Sequence, residues 1–354
     1  MSRFFSEKYA QLKAYTPGEQ PRDQRYIKLN TNENPFSPPP EVEEVLMEEW
    51  EKLRLYPDPE CRELRALLAE RLEVAPEELL MTNGSDEILY FAFMAFCDAH
   101  TPAVFADITY GFYPVYAQVN LVPYRVIPLK EDLRLDPKDY EQAAGTVFIA
   151  NPNAPTGLAL SREQVEGILE KNTYNVVVID EAYVDFGAES CVPLIRQYDN
   201  LLITQTFSKS RSMAGGRLGM GIGNPDLIRD LNTIKYSTNP YNINRLTMAA
   251  GIATLREDEV NRKNCETIVR TRRWTAAELK KLGFEMTDSV TNFLFAKHPE
   301  ISGEKLYLEL KKRGILIRHF SDPRIQDYNR ITIGTREQME TLVETVKEIL
   351  EGNA

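Results

Sequence analysis

The chain has 354 residues, and 43% of them are hydrophobic, which is enough apolar content for one large and one small domain. Its formal net charge of −11 argues against nucleic acid as a partner, because phosphate backbones attract clustered cations. No run of about 18 apolar residues occurs. Residues 1–5 also lack the apolar core of a secretory signal, so we expect no membrane partner.

The cysteines and histidines are scattered, and their spacing matches neither a metal site nor a disulfide framework. We therefore expect no bound metal and a reducing, cytoplasmic location. The residues concerned are Cys61, Cys97, Cys191 and Cys265, together with His100, His298 and His319.

Residues 1–35 are predicted to form a polar N-terminal arm, with a turn at Tyr15-Thr16-Pro17-Gly18. A solvated tail is the alternative. After a proline-rich break, helices are predicted over residues 41–52 and around residues 64–72, because apolar residues recur there at helical spacing.

Residues 36–245 are predicted to form a large α/β domain with a mostly parallel, helix-covered sheet. Apolar runs typical of buried strands alternate with amphipathic segments that predict helices. Polar motifs follow several of these runs, and ligands bind at the carboxyl ends of parallel strands. The predicted strands are residues 103–106, 122–127, 146–150, 175–180, 201–204 and 218–222.

The first polar motif is Thr82-Asn83-Gly84-Ser85-Asp86-Glu87, which precedes an apolar helix over residues 88–97. Gly84, Ser85 and Asp86 are predicted to form its turn and N-cap. Free main-chain N–H groups at such a helix start are suited to a phosphate. An ordinary helix cap is the alternative.

Two motifs follow the next strands. Tyr110 comes after strand 103–106 and is a candidate to stack on a planar ligand. Asn153 lies in a turn with two prolines and a glycine after strand 146–150, a rigid setting that would fix its amide. A core aromatic and a plain turn are the alternatives.

The strand over residues 175–180 ends in an acid, Asp180, and Tyr183 follows three residues later. A carboxylate at the end of a central parallel strand is suited to hold a protonated pyridine nitrogen. Tyr183 is then a candidate to meet a phenolic oxygen on the same ring. An aspartate that caps the next helix is the alternative.

The stretch from Thr206 to Gly219 combines hydroxyl groups, a lysine, glycines and an arginine after strand 201–204. Thr206 and Ser208 are predicted to hold phosphate oxygens, with a charge-assisted contact from Arg217. Lys209 in the same pocket is a candidate amine nucleophile for a Schiff base. Surface cations on a serine-rich loop are the alternative.

Residues 246–354 are predicted to form a smaller α+β domain, reached through a helical stretch over residues 242–281 with at most one break. Arg330 ends a predicted strand, and its planar guanidinium suits a carboxylate. Arg318 and Arg336 are weaker candidates for a substrate phosphate, with surface arginines as the alternative. The other predicted elements are strands 292–296 and 329–333, an apolar run over 314–318, and helices 304–312 and 336–351.

In their order along the chain, these motifs resemble fold-type I, class II pyridoxal-phosphate aminotransferases, and among them the histidinol-phosphate aminotransferases. The similarity runs from Leu29-Asn30-Thr31-Asn32-Glu33-Asn34-Pro35-Phe36 to Arg330-Ile331-Thr332-Ile333-Gly334-Thr335. It implies a pyridoxal 5'-phosphate cofactor joined to Lys209 as a Schiff base. Asp180 would then pair with the pyridine nitrogen and Tyr183 with the ring oxygen.

The resemblance also implies the other site residues. Tyr110 would stack on the ring, and Tyr56 would reach the cofactor phosphate of the other subunit, which makes the protein a homodimer with a shared active site. The residues implied around the phosphate are Gly84, Ser85, Asp86, Thr206, Ser208 and Arg217. Those implied around the substrate are Tyr15, Asn32, Arg318 and Arg330.

One position departs from the family pattern. The family usually carries an asparagine immediately before Pro-Thr-Gly, where it touches the ring oxygen, and this chain has Ala154 there. We predict that Asn153 takes over the contact. The alternative is that Tyr183 holds the ring oxygen without an amide.

The implied reaction is transamination of L-histidinol phosphate with 2-oxoglutarate, giving imidazole acetol phosphate and glutamate in histidine biosynthesis. Lys209 would move the proton at the substrate Cα. Alternatives on the same fold are an aromatic-amino-acid aminotransferase and a threonine-phosphate decarboxylase. A non-enzymatic cofactor-binding regulator is a poorer match, because the short acidic N-terminus offers no helix-turn-helix or basic patch.

Overall fold

The computed structural model describes residues 2–352, in which helices and strands alternate for most of the chain. The strands are β1 (Ile27–Lys28), β2 (Leu79–Thr82), β3 (Ala103–Ala106), β4 (Tyr124–Ile127), β5 (Thr146–Ala150), β6 (Val177–Asp180), β7 (Leu201–Thr206), β8 (Gly219–Gly223), β9 (Glu285–Met286), β10 (Phe293–Lys297), β11 (Ile315–Leu316), β12 (Arg318–His319) and β13 (Asn329–Thr332). The helices are α1 (Glu41–Glu49), α2 (Arg62–Leu72), α3 (Ser85–Phe96), α4 (Tyr113–Val119), α5 (Arg162–Lys171), α6 (Pro225–Thr238), α7 (Arg245–Arg256), α8 (Asp258–Lys281), α9 (Gly303–Lys312) and α10 (Arg336–Glu351).

A seven-stranded sheet in the order β2-β8-β7-β6-β5-β3-β4 forms the centre of the larger unit. The strands from β3 to β7 are mutually parallel, whereas β8 runs antiparallel to both of its neighbours. This arrangement confirms the predicted mostly parallel α/β sheet.

Helices cover both faces of this sheet, which explains why its inner strands are apolar along their whole length. Successive side chains of a strand point to opposite faces. Ile179 and Ile203 therefore pack in the core formed with α2, α5 and α7. Phe148, Val178 and Leu202 pack in the core formed with α3, α4 and α6.

The C-terminal part contains an antiparallel sheet in the order β12-β13-β10-β9, which packs against α8, α9 and α10 around a separate core. The arm packs on this part through a separate two-stranded sheet, in which β1 pairs in parallel with β11. Helix α7, although it belongs to the predicted C-terminal domain, packs on α1 and α2 of the larger unit. The boundaries at residues 35 and 245 stay predictions.

Several helix starts follow from their capping residues. Ser161 and Thr335 each form a capping box with a glutamine three residues later, at the starts of α5 and α10. Asn224 caps α6 and is followed by a proline at the first helical position. Sequence analysis missed α6 in spite of this signal, and it also missed β1, β2, β9 and α4.

The predicted break in the long helical stretch is confirmed at Glu257, which separates α7 from α8. The six predicted strands of the large sheet are also confirmed, with ends shifted by at most two residues. Among the described helices, none is long and apolar enough to cross a membrane.

Replacement of Phe148 by alanine tests how far the sheet depends on its helix-covered core. The ring is 1% exposed and stacks on Phe93 with 4.1 Å between ring centroids. Phe148→Ala should cost about 3–5 kcal/mol, because it leaves a cavity in a rigid interior. Urea unfolding measures the effect, and Tyr174→Ala is the control, since Tyr174 is 99% exposed. Equal midpoints for the two variants would contradict this account of the core.

Candidate active site

A cavity of about 170 Å³ opens where β5, β6 and β7 end, beside the first turn of α3. This inner cavity adjoins an outer cavity of about 460 Å³, and both are lined by Thr31, Tyr110, Ala154, Tyr183 and Lys209. Most of the predicted cofactor-binding residues therefore meet in one place. Those that line the inner cavity are Ser85, Asp86, Tyr110, Asp180, Tyr183, Thr206, Ser208, Lys209 and Arg217.

Glycines let the main chain close tightly around the start of α3. Gly84 precedes the helix with a φ of +74°, which favours glycine, and a Cβ there would lie 2.5 Å from Arg217 Nη2. At Gly219, a Cβ would lie 2.5 Å from the Ser85 main-chain nitrogen. The N-cap residue, Gly84, has no side chain that could accept hydrogen bonds from the first turn of α3. The N–H groups of that turn are therefore available to bind an anion.

Arg217 supplies the positive charge at this turn. Its Nη2 donates to Asp86 Oδ2 at 3.0 Å, and its Nη1 donates to Ser208 Oγ at 3.3 Å. Thr206 Oγ1 donates to Ser208 Oγ at 2.9 Å, and the Tyr110 hydroxyl donates to Asp86 Oδ1 at 2.5 Å. The N–H, hydroxyl and guanidinium donors are those that bind phosphate oxygens, so we call the group the phosphate cup. Its members are Gly84, Ser85, Asp86, Thr206, Ser208 and Arg217.

Asp180 ends β6 as a buried carboxylate. Burial raises its pKa to about 6, a hydrogen bond from Thr204 lowers it in part, and the nearby charge of Asp86 raises it further. Thr204 Oγ1 donates to Asp180 Oδ1 at 2.9 Å, and the Ala182 main-chain N–H donates to the same oxygen at 3.2 Å. A cation placed in the inner cavity would therefore favour the ionised form of Asp180.

Lys209 lies where the two cavities meet. Its Nζ donates to the Thr31 carbonyl at 3.2 Å and lies 5.8 Å from the centre of the Tyr183 ring. Asn34 Nδ2 donates to the Lys209 carbonyl at 3.0 Å and so holds its main chain. Glu33 lines the same cavity. Burial alone would raise the pKa of Glu33, but hydrogen bonds from two neighbouring side chains hold it below its ordinary value.

Tyr183 is oriented by the arm. Asn32 Nδ2 donates to the Tyr183 hydroxyl at 2.8 Å, and Asn32 Oδ1 accepts from Thr332 Oγ1 at 3.1 Å. The Tyr183 ring also meets Phe293 edge-on, with 5.3 Å between centroids. One amide of the arm therefore links the tyrosine to strand β13.

Asn153 is not brought to the inner cavity. Its Nδ2 donates to the Ile108 carbonyl and to Thr156 Oγ1, both at 3.0 Å, and its Oδ1 accepts from Thr109 Oγ1 at 2.7 Å. These partners use both ends of the amide and hold it within the turn. The predicted contact of Asn153 with a ring oxygen would require these bonds to break, whereas Ala154 lines both cavities.

The outer cavity contains the predicted substrate residues Tyr15, Asn32, Arg318 and Arg330. Burial lowers the pKa of the Arg330 guanidinium. Its Nη2 donates to the Asn30 carbonyl at 3.0 Å, and its Nε has no hydrogen-bond partner within the described part of the chain. A half-buried guanidinium with a buried, unused N–H group is suited to an anionic ligand.

Besides Asn153, two further predicted residues lie away from these cavities. Tyr56 is 78% exposed and stacks on Tyr241, with 4.5 Å between centroids. Arg336 begins α10, where its guanidinium carbon lies 3.5 Å from the centre of the Trp274 ring and its Nε donates to Glu340 at 2.8 Å. Arg336 is therefore a surface arginine with partners of its own, which was the alternative to a role in binding the substrate phosphate.

Sequence analysis assigned no site role to Thr31, Glu33 or Asn34, although all three surround Lys209. They lie in one short polar segment after β1. The concentration of amides, hydroxyls and an acid in that segment was the available signal. Their approach to Lys209 depends on how the arm packs, which local spacing does not reveal.

A family model described as aminotransferase class I and II matches residues 24–346. The chain belongs to this family. A histidinol-phosphate aminotransferase from Brachyspira hyodysenteriae is 48% identical to it over 352 residues, covering 99% of each chain. The crystal structure of the histidinol-phosphate aminotransferase from Clostridium acetobutylicum matches with a TM-score of 0.85 and 25% identity, covering 92% of this chain and 99% of that one. A structure of the Sinorhizobium meliloti histidinol-phosphate aminotransferase in complex with pyridoxal-5'-phosphate has a TM-score of 0.86 and 22% identity, covering 94% and 93% of the chains.

This aminotransferase uses pyridoxal phosphate, and the residues of the inner cavity fit that cofactor. The cup provides donors suited to a phosphate. Gly84 and Gly219 leave space beside these donors that the Cβ of any other residue would occupy. Asp180 provides a buried acid for a pyridine nitrogen, and Lys209 provides an amine in the same cavity.

Replacement of Asp180 by asparagine should remove a pH-dependent cost from the cofactor-free protein. Folding raises the pKa of Asp180 from 3.8 to about 6, so wild type loses stability relative to Asp180→Asn as the pH rises between these values. The full difference is about 3 kcal/mol, because a tenfold change in proton affinity corresponds to about 1.4 kcal/mol. Urea midpoints at pH about 4.5 and about 7.5 measure the part of this loss that falls between those pH values, about 2 kcal/mol.

The matched control is Asp226→Asn on the exposed start of α6, because it makes the same chemical change at a carboxylate that is not buried. Glu181, whose pKa burial raises to about 7, is present in all of these proteins and cancels in the comparison. A constant difference between wild type and Asp180→Asn across this pH range would contradict the burial argument.

Proposed function

We propose that the protein transfers the amino group of L-histidinol phosphate to 2-oxoglutarate, giving imidazole acetol phosphate and glutamate in histidine biosynthesis. The observation that carries the proposal is the 48% identity, over nearly the whole chain, to a relative of that name. The cations of the outer cavity support it, because both the phosphorylated substrate and glutamate present an anion.

Pyridoxal phosphate, when bound, supplies an electron sink that stabilises the negative charge left on the substrate Cα. In this proposal the phosphate cup binds the cofactor phosphate, and ionised Asp180 faces the protonated pyridine nitrogen. Tyr183, held by Asn32, supplies a hydroxyl toward the ring oxygen. Each group lines or adjoins the inner cavity, which supports the assignment.

Lys209 is proposed to anchor the cofactor and then to move the Cα proton of the substrate. A lysine amine is a suitable base for this transfer once the substrate amine has replaced it. Its position at the junction of the two cavities supports this role, because the reacting carbon lies between cofactor and substrate anion.

Arg330 is proposed to bind the anionic end of the substrate, with Arg318 beside it. Both line the outer cavity, and Arg330 has an unused Nε–H. One guanidinium site would serve a phosphate in the first half-reaction and a carboxylate in the second, since both accept paired N–H donors. Tyr15 borders the same cavity and stacks on Phe112 with 4.1 Å between centroids.

Lys209→Ala tests the catalytic assignment. We expect turnover of histidinol phosphate to fall by at least about a thousand-fold, because the variant lacks both the anchoring amine and the base. The visible absorption band of the bound cofactor should shift relative to wild type. Lys263→Ala, on the exposed face of α8, is the control and should keep full activity.

The wild-type enzyme, assayed beside these variants, separates the alternatives on the same fold. Histidinol phosphate should give a higher kcat/KM than phenylalanine, and threonine phosphate should release no carbon dioxide. Preference for phenylalanine would identify an aromatic-amino-acid aminotransferase. Undiminished turnover by Lys209→Ala would remove Lys209 from the mechanism.

We further propose that the active form is a homodimer with a shared active site. Several large apolar side chains are exposed along the end of α1 and the segment that follows it, and such patches indicate protein contacts in assemblies. Tyr56 belongs to this stretch and stacks on Tyr241. The exposed residues are Met47, Trp50, Leu53, Leu55 and Tyr56.

Mixed dimers test whether Tyr56 acts on the partner subunit. Tyr56→Ala and Lys209→Ala should each be nearly inactive alone. In a hybrid of the two, one site would combine the intact Lys209 of one chain with the intact Tyr56 of the other. Random mixing should therefore restore about a quarter of wild-type activity. No recovery in isolated hybrids would show that Tyr56 serves its own subunit.

A cytoplasmic location completes the proposal. Cys61, Cys97, Cys191 and Cys265 are all buried and unpaired. Unpaired cysteines are typical of proteins in reducing compartments.

A further inference from the structure

A second pair of cavities lies on the opposite side of the loop that carries Lys209. Their volumes are about 410 and 360 Å³, and both are lined by Arg71, Asp185, Gly187 and Arg211. We call the pair the rear groove and define it by these four residues and the facing side of α8. None of these four residues lines the inner or the outer cavity.

Arg211 forms the floor of the rear groove, where its guanidinium carbon lies 4.9 Å from the centre of the Phe207 ring and its acidic partner is distant. The side chain is buried, yet its Nε has no hydrogen-bond partner among residues 2–352. Its contact with an acid is a long one, 3.5 Å from Nη1 to Asp185 Oδ2. That oxygen already accepts the Ser210 hydroxyl. A buried guanidinium with unused donors is costly unless an anion satisfies it.

The wall from α8 adds further positive charge. Arg262 pairs with both Glu259 and Glu266, and Arg71 at the opposite rim pairs with Asp258. Arg270 and Arg273 also line the groove, and within the described residues neither forms an ion pair. The groove therefore carries five arginines against three carboxylates, although the whole chain has a net charge of −11.

We propose that the rear groove binds a small dianion, a phosphate or a dicarboxylate, between Arg211 on the floor and Arg270 and Arg273 at the rim. Guanidinium groups bind such oxyanions with paired N–H donors. The larger cavity, at about 410 Å³, has room for a ligand of this size. Arg270 and Arg273 have no acidic partner within the described residues, so their two positive charges remain available to such a ligand.

A ligand at this position would contact the framework of the active site from behind. Arg211 follows Lys209 by two residues, and Asp185 follows Tyr183 by two residues. Ser210 donates its hydroxyl to Asp185 and so joins the two segments. Occupancy of the groove would therefore be coupled to the position of Lys209.

The sheet gives a second connection to the active site. Gln205 lines the groove and donates to Glu181 at 2.9 Å, and Glu181 is the neighbour of Asp180. Thr204 and Thr206, on either side of Gln205, point toward the active-site face.

Calorimetric titration of the holoenzyme with inorganic phosphate, and separately with succinate, tests the proposal at constant ionic strength. Wild type should bind one of these probes at two sites per chain. Arg330→Gln should remove the site in the outer cavity and keep the other. Arg270→Gln combined with Arg273→Gln should weaken the remaining site at least tenfold and leave the outer-cavity site intact.

Arg229→Gln, an exposed arginine on α6, is the matched control and should bind as wild type does. The test uses the double variant at the exposed residues Arg270 and Arg273, because Arg211→Gln alters a buried residue and can disturb folding. Phosphate binding without succinate binding would identify a phosphate site, and the reverse a dicarboxylate site. Unchanged affinity in the α8 double variant, or no binding at all in Arg330→Gln, would overturn the proposal.

Discussion

The burial of one carboxylate, Asp180, is the constraint on which the active-site cavity depends. The central strands bring it into the interior, and Thr204 on the adjacent strand β7 supplies a hydrogen bond across the register. A lone hydroxyl and one N–H group do not replace the water that the carboxylate gives up, so its pKa remains raised to about 6. The interior thus favours a cation at this point, and a protonated pyridine provides one.

The site is assembled from three distant parts of the chain. The arm contributes Asn32, the large sheet leads to Tyr183, and the C-terminal sheet contributes Thr332. These side chains form one continuous set of hydrogen bonds, from Tyr183 through Asn32 to Thr332. Asn292 also donates to the Asn32 carbonyl at 2.9 Å. The geometry around the cofactor ring is therefore sensitive to how the arm and the C-terminal part pack together.

The sequence was sufficient to predict the residues that follow parallel strands. Asp180, Lys209 and Arg217 come after or near the ends of apolar runs, and parallel pairing brings those ends to one edge. Asn153 shows the limit of such reasoning, because partners within its own turn take up its amide. Asn34 and Glu33 show another limit, since their contacts depend on long-range packing of the arm. The rear groove could not be predicted from the sequence either, because it is formed by residues from α2, α8 and two loops that are distant along the chain.

The ion pair between Arg217 and Asp86 has a consequence for selectivity. Because Arg217 has a carboxylate partner of its own, an incoming phosphate gains only the difference between two ionic contacts. Beyond that difference, a free inorganic phosphate ion gains only the hydrogen bonds of the cup itself. The whole cofactor adds interactions with Asp180 and Lys209 to that small difference. The acid in the cup therefore acts as a competitor that discriminates between the cofactor and the abundant phosphate ions of a cell.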